Sequence, residues 1–381
     1  MSHATASSLS GLEANEQDRF ELVPLYETED WKNYVWSKDA TEAFMISAQY
    51  LLERGLNVGF FKDDASLWRE ILEAFCDQKP FGEELRRFFE LHFVPVKRRE
   101  SKQQFLYTGY FEPEYQASPK LTEDYSIPIY KRPSDLILIE DLGVLNPNLR
   151  GFRVGGVVLD GTLKPYASRK DIYEGALDGK GLELAYLKDL REAYFLSIQG
   201  SGVLIYPDQT RIRVAYAGTN GRPYQSIGAI LVERGFIAPH EISMQSIWTW
   251  CENHLDEMVN LFSENPSFVF FKLLDQSTTF PQGAISRPLI PLFSLAVDPL
   301  FYPLGIPLWA EGISNPLRSK DQHQGLMFSH DTGGAIKGAY RGDIFCGTGK
   351  NAGERAGGMQ LEGSLTLFCP KKSQKILSIT E

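Results

Sequence analysis

His330–Gly349 reads HDTGGAIKGAYRGDIFCGTG, with six glycines, two aspartates and one lysine. The run before it, Gly325–Ser329 (GLMFS), is mostly apolar and predicts a buried strand that delivers Asp331 to its end. Gly333, Gly334 and Gly338 supply the backbone freedom for tight turns or for the close approach of a ligand. The sequence GDIF then opens a second strand, with Asp343 at its mouth and Ile344 and Phe345 pointing inward or stacking beside it. Two carboxylates at the ends of neighbouring strands, set among glycines, suit a functional site. The same residues also suit a plain pair of turns, because Asp and Gly are the usual turn residues.

Working outward, the chain has 381 residues, enough for about two or three domains. Hydrophobic residues make up 43% and charged residues 23%, ordinary for a globular protein. No run approaches the roughly 18 apolar residues of a membrane span. The net charge of −10 argues against a general nucleic-acid binder, which needs a basic face. It also denies any long-range attraction for an anionic polymer, so such a substrate must be held by local contacts. Cys76, Cys251, Cys346 and Cys369 are scattered, without a CxxC pair or a histidine cluster. That spacing argues against zinc and predicts free, mostly buried thiols. The first residues, MSHATASSLSGLEANEQ, are polar and small, without the apolar core of a signal peptide.

The N-terminal arm leads, after an extended segment to about Asp30, into three amphipathic helices at Thr41–Gly55, Ala65–Cys76 and Phe81–Phe93. Their Phe and Leu stripes read as core. Gln104–Tyr110 is a strand and FEPEYQAS (111–118) an irregular segment. From Ser118 to about His240 the character is β-rich. IPIYKRP (127–133) is a short strand, Leu136–Lys164 is loop-rich with alternating apolar residues, and Ser168–Leu177 is a capped helix. Tyr194–Tyr206 and Thr210–Gly218 read as a strand hairpin joined by PDQ, with QGSG marking a bulge or a backbone packing point. A helix ends near Gly235, Glu241–His254 and Leu255–Glu264 are helical, and Asn265–Lys272 turns into a strand. Arg287–Asp298 is strand-like and ends in an aspartate as GLMFSHD does; a turn and strand follow in DPLFYPLGIPLWAE. NAGERAGG (351–358) reads as a flexible connection before a last strand at Ser364–Cys369.

Asp298, Asp331 and Asp343 thus fall at or beside strand ends in one region. The D-x-[DN]-x-[DN]-G spacing of a calcium loop is absent, and GGAIKG is not a phosphate loop, because Lys337 precedes the glycine rather than following it. G-x-S-x-G, HExxH and G-x-G-x-x-G motifs are missing, and His330 has no fixed partner in the sequence. No metal or other cofactor is expected. Carboxylate chemistry on a polymer remains. Glycosidic cleavage has the smallest requirement, a positioned acid of raised pKa. Tyr107, Tyr110, Phe111, Tyr115, Tyr216, Tyr224 and Trp309 are candidates to stack on sugar faces, against half-buried packing as the commoner use of such residues.

These motifs resemble the MltA family of lytic murein transglycosylases. The resemblance runs from about Tyr107 to Leu367. It is carried in order by TGYFEPEY (108–115), IPIYKRP, SRKDIYEGAL, IQGSG, AYAGTNGRPYQSIG, NPSFVFFK, AVDPLFYPLG and DTGGAIKGAYRGDIFCGTG. It implies a mainly β fold with a helical N-terminal segment. A discontinuous catalytic domain over 1–117 and 241–381 would be a double-psi β-barrel, with a three-aspartate module at 287–370. An inserted β-barrel at 118–240 would bind substrate, with a deep groove between the two. It further implies Asp343 as the single catalytic residue, with Asp331 and Asp298 supporting the site. Thr108, Gly109, Tyr110, Gln199, Gly200, Ser201, Gly202, Gly333, Gly334 and Lys337 would contact substrate, and neither Lys337 nor Arg341 is expected to reach Asp343. Four residues, AYRG, separate Gly338 from Asp343, where some family members have three.

The implied reaction cleaves the β-1,4 bond between N-acetylmuramic acid and N-acetylglucosamine in peptidoglycan without water and leaves a 1,6-anhydro end. Two other readings stay open: an inverting, cellulase-like glycoside hydrolase on the same barrel, with Asp298 or Asp331 as base, or a non-catalytic cell-wall polysaccharide-binding protein. The expected partner is the peptidoglycan glycan strand, with no nucleic acid, no transmembrane segment and a monomeric state. The family implies the cell envelope or periplasm, with outer-membrane association open, although no leader or lipid-acceptor cysteine is visible near the start.

Overall fold

A computed structural model describes residues 20–55, 64–99, 103–139, 141–149, 154–275, 280–314 and 322–373. The arm read at the start, as far as residue 19, lies outside the described residues. In chain order the elements begin with strand β1 (Phe20–Leu22), helices α1 (Glu29–Asn33), α2 (Lys38–Arg54), α3 (Ala65–Gln78) and α4 (Glu83–His92), and strands β2 (Phe93–Arg98), β3 (Phe105–Glu112), β4 (Glu114–Ser118), β5 (Ile127–Tyr130), β6 (Ile137–Ile139), β7 (Val154–Leu159) and β8 (Thr162–Pro165). Then come α5 (Arg169–Tyr173), β9 (Glu183–Leu187), α6 (Leu190–Gln199), β10 (Ser201–Ile205), β11 (Arg211–Thr219), α7 (Ile227–Glu233), α8 (Met244–Asn253), α9 (Leu255–Ser263) and β12 (Val269–Leu273). The chain closes with β13 (Ser294–Ala296), β14 (Pro307–Ser314), β15 (Gln322–Asp331), β16 (Arg341–Thr348), α10 (Lys350–Gly358) and β17 (Gln360–Pro370). The protein is therefore mixed helix and sheet, and its helices are not confined to the N-terminal segment.

The chain divides into two compact units. The first comprises Met1–Thr108, Gly283–Ile344 and Gln360–Glu381; the second comprises Gly109–Gln282 and Phe345–Met359. The sequence boundary at His240 is too early. Helices α8 and α9 bury Trp250, Cys251, Met258, Leu261 and Phe262 against Tyr194, Ile227 and Leu231, one apolar cluster within the second unit.

In the first unit the strand order is β1-β2-β17-β14-β15-β13-β16-β3, and β3 also pairs with β17. Strands β17, β14, β15, β13, β16 and β3 therefore close on themselves. β17 manages this through its length: Gln360–Gly363 pairs with β3, and Thr366–Pro370 pairs with β2. Closure removes exposed strand edges. Helices α1 to α4 cover the sheet through aromatic packing, with Phe44 of α2 stacked on Phe328 at 5.5 Å and Trp31 of α1 5.2 Å from Trp309. The Phe and Leu stripes of these helices are core, as expected. Trp309 and Tyr107 are fully buried in the same unit, so neither can stack on a sugar.

In the second unit β12-β11-β10-β4-β9-β5 form one sheet, and a bridge between Lys131 and Phe271 brings its two ends together. Strands β6, β7 and β8 form a small meander where the sequence reads as loop-rich.

Three local readings are corrected. Residues 111–118 are not irregular: β3 runs to Glu112, and Glu114–Ser118 is β4, parallel to β10. Tyr194–Tyr206 is not one strand. Its first half lies in α6, whose side chains Tyr194 to Ser197 are buried in a way that mimics a core strand. The caps carry the missed signal. Asp189 accepts from Arg191 N at the N-terminus, and Gly200 closes the C-terminus at φ 77°, so QGSG is a helix stop rather than a bulge. The backbone-packing alternative holds at Gly202, where a Cβ would stand 2.5 Å from Leu196. NAGERAGG is helix α10, not a flexible connection. Its Ala352 and Ala356 are buried, and a Cβ at Gly109 would lie 2.8 Å from Ala356 Cα. Small residues there let a helix lie directly on β3.

Candidate active site

The register of a three-residue strand gathers the aspartates. Ala296, the last residue of β13, pairs with Asp331 of β15 on one side and with Asp343 of β16 on the other. Asp298 follows two residues later. The expected delivery of Asp331 and Asp343 to one end of the sheet is met, although Asp343 is the third residue of its strand rather than its mouth.

Asp343 is half-buried between Gly342 and Ile344, both buried. Thr108 Oγ1 of β3 donates to Asp343 Oδ1 at 2.5 Å. Burial is the main influence on this carboxyl and, with the Asp331 charge, raises its pKa from 3.8 to about 6; Thr108 and the Arg341 charge oppose the rise. The expectation that Arg341 stays out of reach is therefore corrected: its charge acts on Asp343. Lys337 is exposed. Replacing Thr108 by Val removes the donor that favours the carboxylate. We expect the Asp343 pKa to move above its value of about 6, as read by carbon-13 titration of the carboxyl. An unchanged or lower value would refute the role given to Thr108.

The other two aspartates are structural clamps. Asp298 is buried; its Oδ1 accepts from Leu300 N at 3.1 Å and its Oδ2 from Gly338 N at 2.8 Å. Tyr302 donates its hydroxyl to Ala339 O at 2.6 Å, so the glycine-rich loop before β16 is tied down at two successive residues. Asp331 Oδ1 accepts from Ala284 N and Thr332 N, each at 2.9 Å. On this loop Gly334 is exposed and Gly333 packs on Ile336.

His330, without a partner in the sequence, has two in the structure. Its ring is fully buried, with Ser47 Oγ and Ser294 Oγ each 2.9 Å from a ring nitrogen. Burial holds its pKa down at about 3, so it is neutral and a core residue.

The remaining predicted contacts belong to the second unit. The Tyr110 ring lies 5.3 Å from Phe345, and Gly109 lies under α10. Gln199 Oε1 accepts from Phe111 N at 3.0 Å, Gly200 caps α6, and Ser201 and Gly202 are buried. Tyr110, Phe111, Tyr115 and Tyr224 are half-buried, and Tyr216 is exposed. One grouping escaped the sequence. Glu112, fully buried, accepts from Arg213 Nε at 3.1 and 3.2 Å and from Thr348 Oγ1 at 2.7 Å. It joins the far ends of β3 and β16, the strands that carry Thr108 and Asp343.

No group of three or more potential metal ligands occurs among the described residues. The arrangement offers one carboxyl of raised pKa that accepts from the Thr108 hydroxyl, and two further aspartates whose oxygens accept backbone N–H groups.

Comparison with known proteins gives a consistent picture. Residues 106–272 match the MltA specific insert domain, and residues 293–368 match the 3D domain. Membrane-bound lytic murein transglycosylase A of Vibrio cholerae is 34% identical over 261 residues, and that of Escherichia coli K12 is 36% identical over 256 residues. In each case the match covers 66% of this chain and 62% of the relative's length. Among solved structures, a membrane-bound lytic murein transglycosylase from Agrobacterium tumefaciens is 30% identical, covers 93% of this chain and 98% of its own, and superposes with a TM-score of 0.79. MltA from Neisseria gonorrhoeae gives 29% identity, 93% of both chains and a TM-score of 0.75. E. coli MltA with bound chitohexaose gives 26% identity, 92% of this chain, 94% of that one and a TM-score of 0.66. The shared motifs, the order of the two matched domains and the structural agreement over nearly the whole chain show that this chain belongs to the MltA family of lytic murein transglycosylases, with its specific insert domain and a C-terminal 3D domain.

Proposed function

We propose that the protein is a peptidoglycan lytic transglycosylase that uses Asp343 as its single acid and base. One observation carries this reading: the Asp343 carboxyl, with its pKa raised to about 6, stands at the level where β13, β15 and β16 bring Asp331 and Asp343 together. The closed six-strand ring is read as the double-psi β-barrel of the catalytic domain, and the second unit as the inserted substrate-binding barrel. Gly333, Gly334 and Lys337 are the loop residues proposed to meet the glycan.

The protonated Asp343 carboxyl gives its proton to the oxygen leaving C1 of N-acetylmuramic acid. The C6 hydroxyl of that sugar bonds to C1 and loses its proton to the Asp343 carboxylate. One bond breaks, one forms, and the enzyme ends as it began. A single group suffices because the acid of the first half becomes the base of the second. The nucleophile is already attached to the substrate, so no second carboxylate has to activate water. The hydrolase alternative loses support at Asp298, whose two oxygens both accept backbone N–H groups.

A polymer in the cell envelope fits the membrane-bound relatives, although no helix among the described residues is long and apolar enough to cross a membrane. A monomer working alone on the glycan strand is part of the proposal. Digestion of purified peptidoglycan followed by mass spectrometry tests it. Products one water lighter than hydrolytic muropeptides are expected. Reducing ends with the full mass would replace this reading by hydrolysis, and the absence of products by a binding role.

A further inference from the structure

A cavity of about 620 Å³ lies wholly within the second unit, among α5, α6, α9, β5 and β12. That volume falls within the roughly 300–1,000 Å³ of small-molecule sites. Its walls are apolar and aromatic, including Ile127, Ile172, Tyr173, Tyr186, Phe268 and Phe271. Its lining carries charges of both signs. Arg169, only 2% exposed, is the basic residue of the lining, whereas Glu174, Asp178 and Glu183 are its acidic ones.

Arg169 is unusual for a buried guanidinium. It donates to Asn265 O, Ser267 O, the Ser197 hydroxyl and the Tyr173 hydroxyl, and stacks on Tyr194 at 4.6 Å and Phe268 at 5.2 Å. All those acceptors are neutral, and no carboxylate among the described residues pairs with it. Buried charges are ordinarily paired. Three family motifs build this place: Arg169 comes from SRKDIYEGAL, its carbonyl acceptors from NPSFVFFK, and Asn220 of AYAGTNGRPYQSIG donates to Ala167 O and Pro266 O beside it. None of these residues has a part in the chemistry at Asp343. Glu174 and Asp178 are exposed and Glu183 is half-buried. Asp178 and Glu183 both act on the Tyr130 hydroxyl, which also lines the cavity.

A ligand matching these features carries an anion, a cation and apolar groups. We infer that the cavity binds an amino acid or short peptide with free termini: its carboxylate lies toward Arg169, its apolar side chains against the walls, and its ammonium among Glu174, Asp178 and Glu183. The inference is independent of the reaction proposed above, because no cavity residue is assigned to it.

Titration calorimetry of the full chain with trileucine tests it. Saturable binding is expected in wild type and in Asp343→Asn alike. Trileucine amide, without the carboxylate, should bind at least about tenfold more weakly, the worth of one charge-assisted hydrogen bond. The double variant Asp178→Asn with Glu183→Gln should weaken trileucine about tenfold and leave N-acetyl-trileucine unaffected. Because Arg169 is knitted into the core, the blocking variant is Val259→Trp at the 43% exposed wall residue of α9, which should abolish binding without touching that network. No binding at millimolar trileucine overturns the inference. So does equal affinity for acid and amide, or binding that survives Val259→Trp.

Discussion

Asp343→Asn removes the anhydro products of peptidoglycan digestion and, at the same time, makes the protein more stable. The activity loss follows from the proton inventory. Asn keeps the shape and an acceptor for Thr108 but can neither give nor take the proton, so the rate should fall by about 10²–10⁴-fold. The pH profile of wild type supplies the companion result. The first half-reaction needs the acid form, so activity should decline as pH rises through about 6. The stability gain has a different origin. An acid whose pKa rises from 3.8 to about 6 on folding is more protonated in the folded state, so the carboxylate is disfavoured there. Below about pH 4 the group is protonated in both states and nothing is lost. Between about 4 and 6 the penalty grows, and above about 6 it is complete, at roughly 3 kcal/mol. The variant should therefore unfold at higher temperature than wild type at pH 7 and near the same temperature at pH 3.5. A variant that still releases anhydro ends, or one less stable at pH 7, would remove Asp343 from the role given to it.

Arg213→Met should produce the largest loss of stability. Glu112 is fully buried, and its carboxylate accepts from the Arg213 guanidinium through both oxygens. Burial raises the Glu112 pKa, and Arg213 and Thr348 hold that rise in check. Without the guanidinium the charge is stranded, a change that costs about 3–5 kcal/mol when a buried pair loses one partner. Glu112 can escape part of that cost by taking a proton, so the deficit should shrink as pH falls. The double variant Arg213→Met with Glu112→Gln removes the stranded charge and should recover most of the loss. Hydrogen exchange of the β10–β11 amides measures both. A loss below about 1 kcal/mol in the single variant, or no recovery in the double, would show that the pair does not bear on stability.

The sequence made the ends of the site legible and hid its middle. Apolar runs closing in Asp331 and Asp298, and the GDIF start, placed the aspartates at strand ends, because a strand run followed by Asp and Gly has few other uses. The three-residue β13, whose Ala296 pairs with both Asp331 and Asp343, could not be foreseen. Register is a long-range property that local patterning leaves open. Arg341 was dismissed because charge proximity depends on that same register. Tyr194–Ser197 misled because an all-round apolar segment is buried equally well as helix or strand, and only the caps at Asp189 and Gly200 decide. NAGERAGG misled in the opposite direction. Its Gly353 reflects the closeness of β3, where a Cβ would stand 2.9 Å from the Phe111 ring.

The burial of Cys251, Cys346 and Cys369 gives the molecule a built-in clock. Only a thiolate attacks an electrophile, and burial pushes the Cys251 thiol up to about 11. At pH 8 the folded protein therefore presents about a thousandth of that sulfur in reactive form, against about a quarter for an unfolded thiol of pKa near 8.5. Alkylation then counts excursions out of the native state. Because Cys369 belongs to the first unit and Cys251 to the second, mass mapping of the labelled peptides times the opening of each unit separately within one sample.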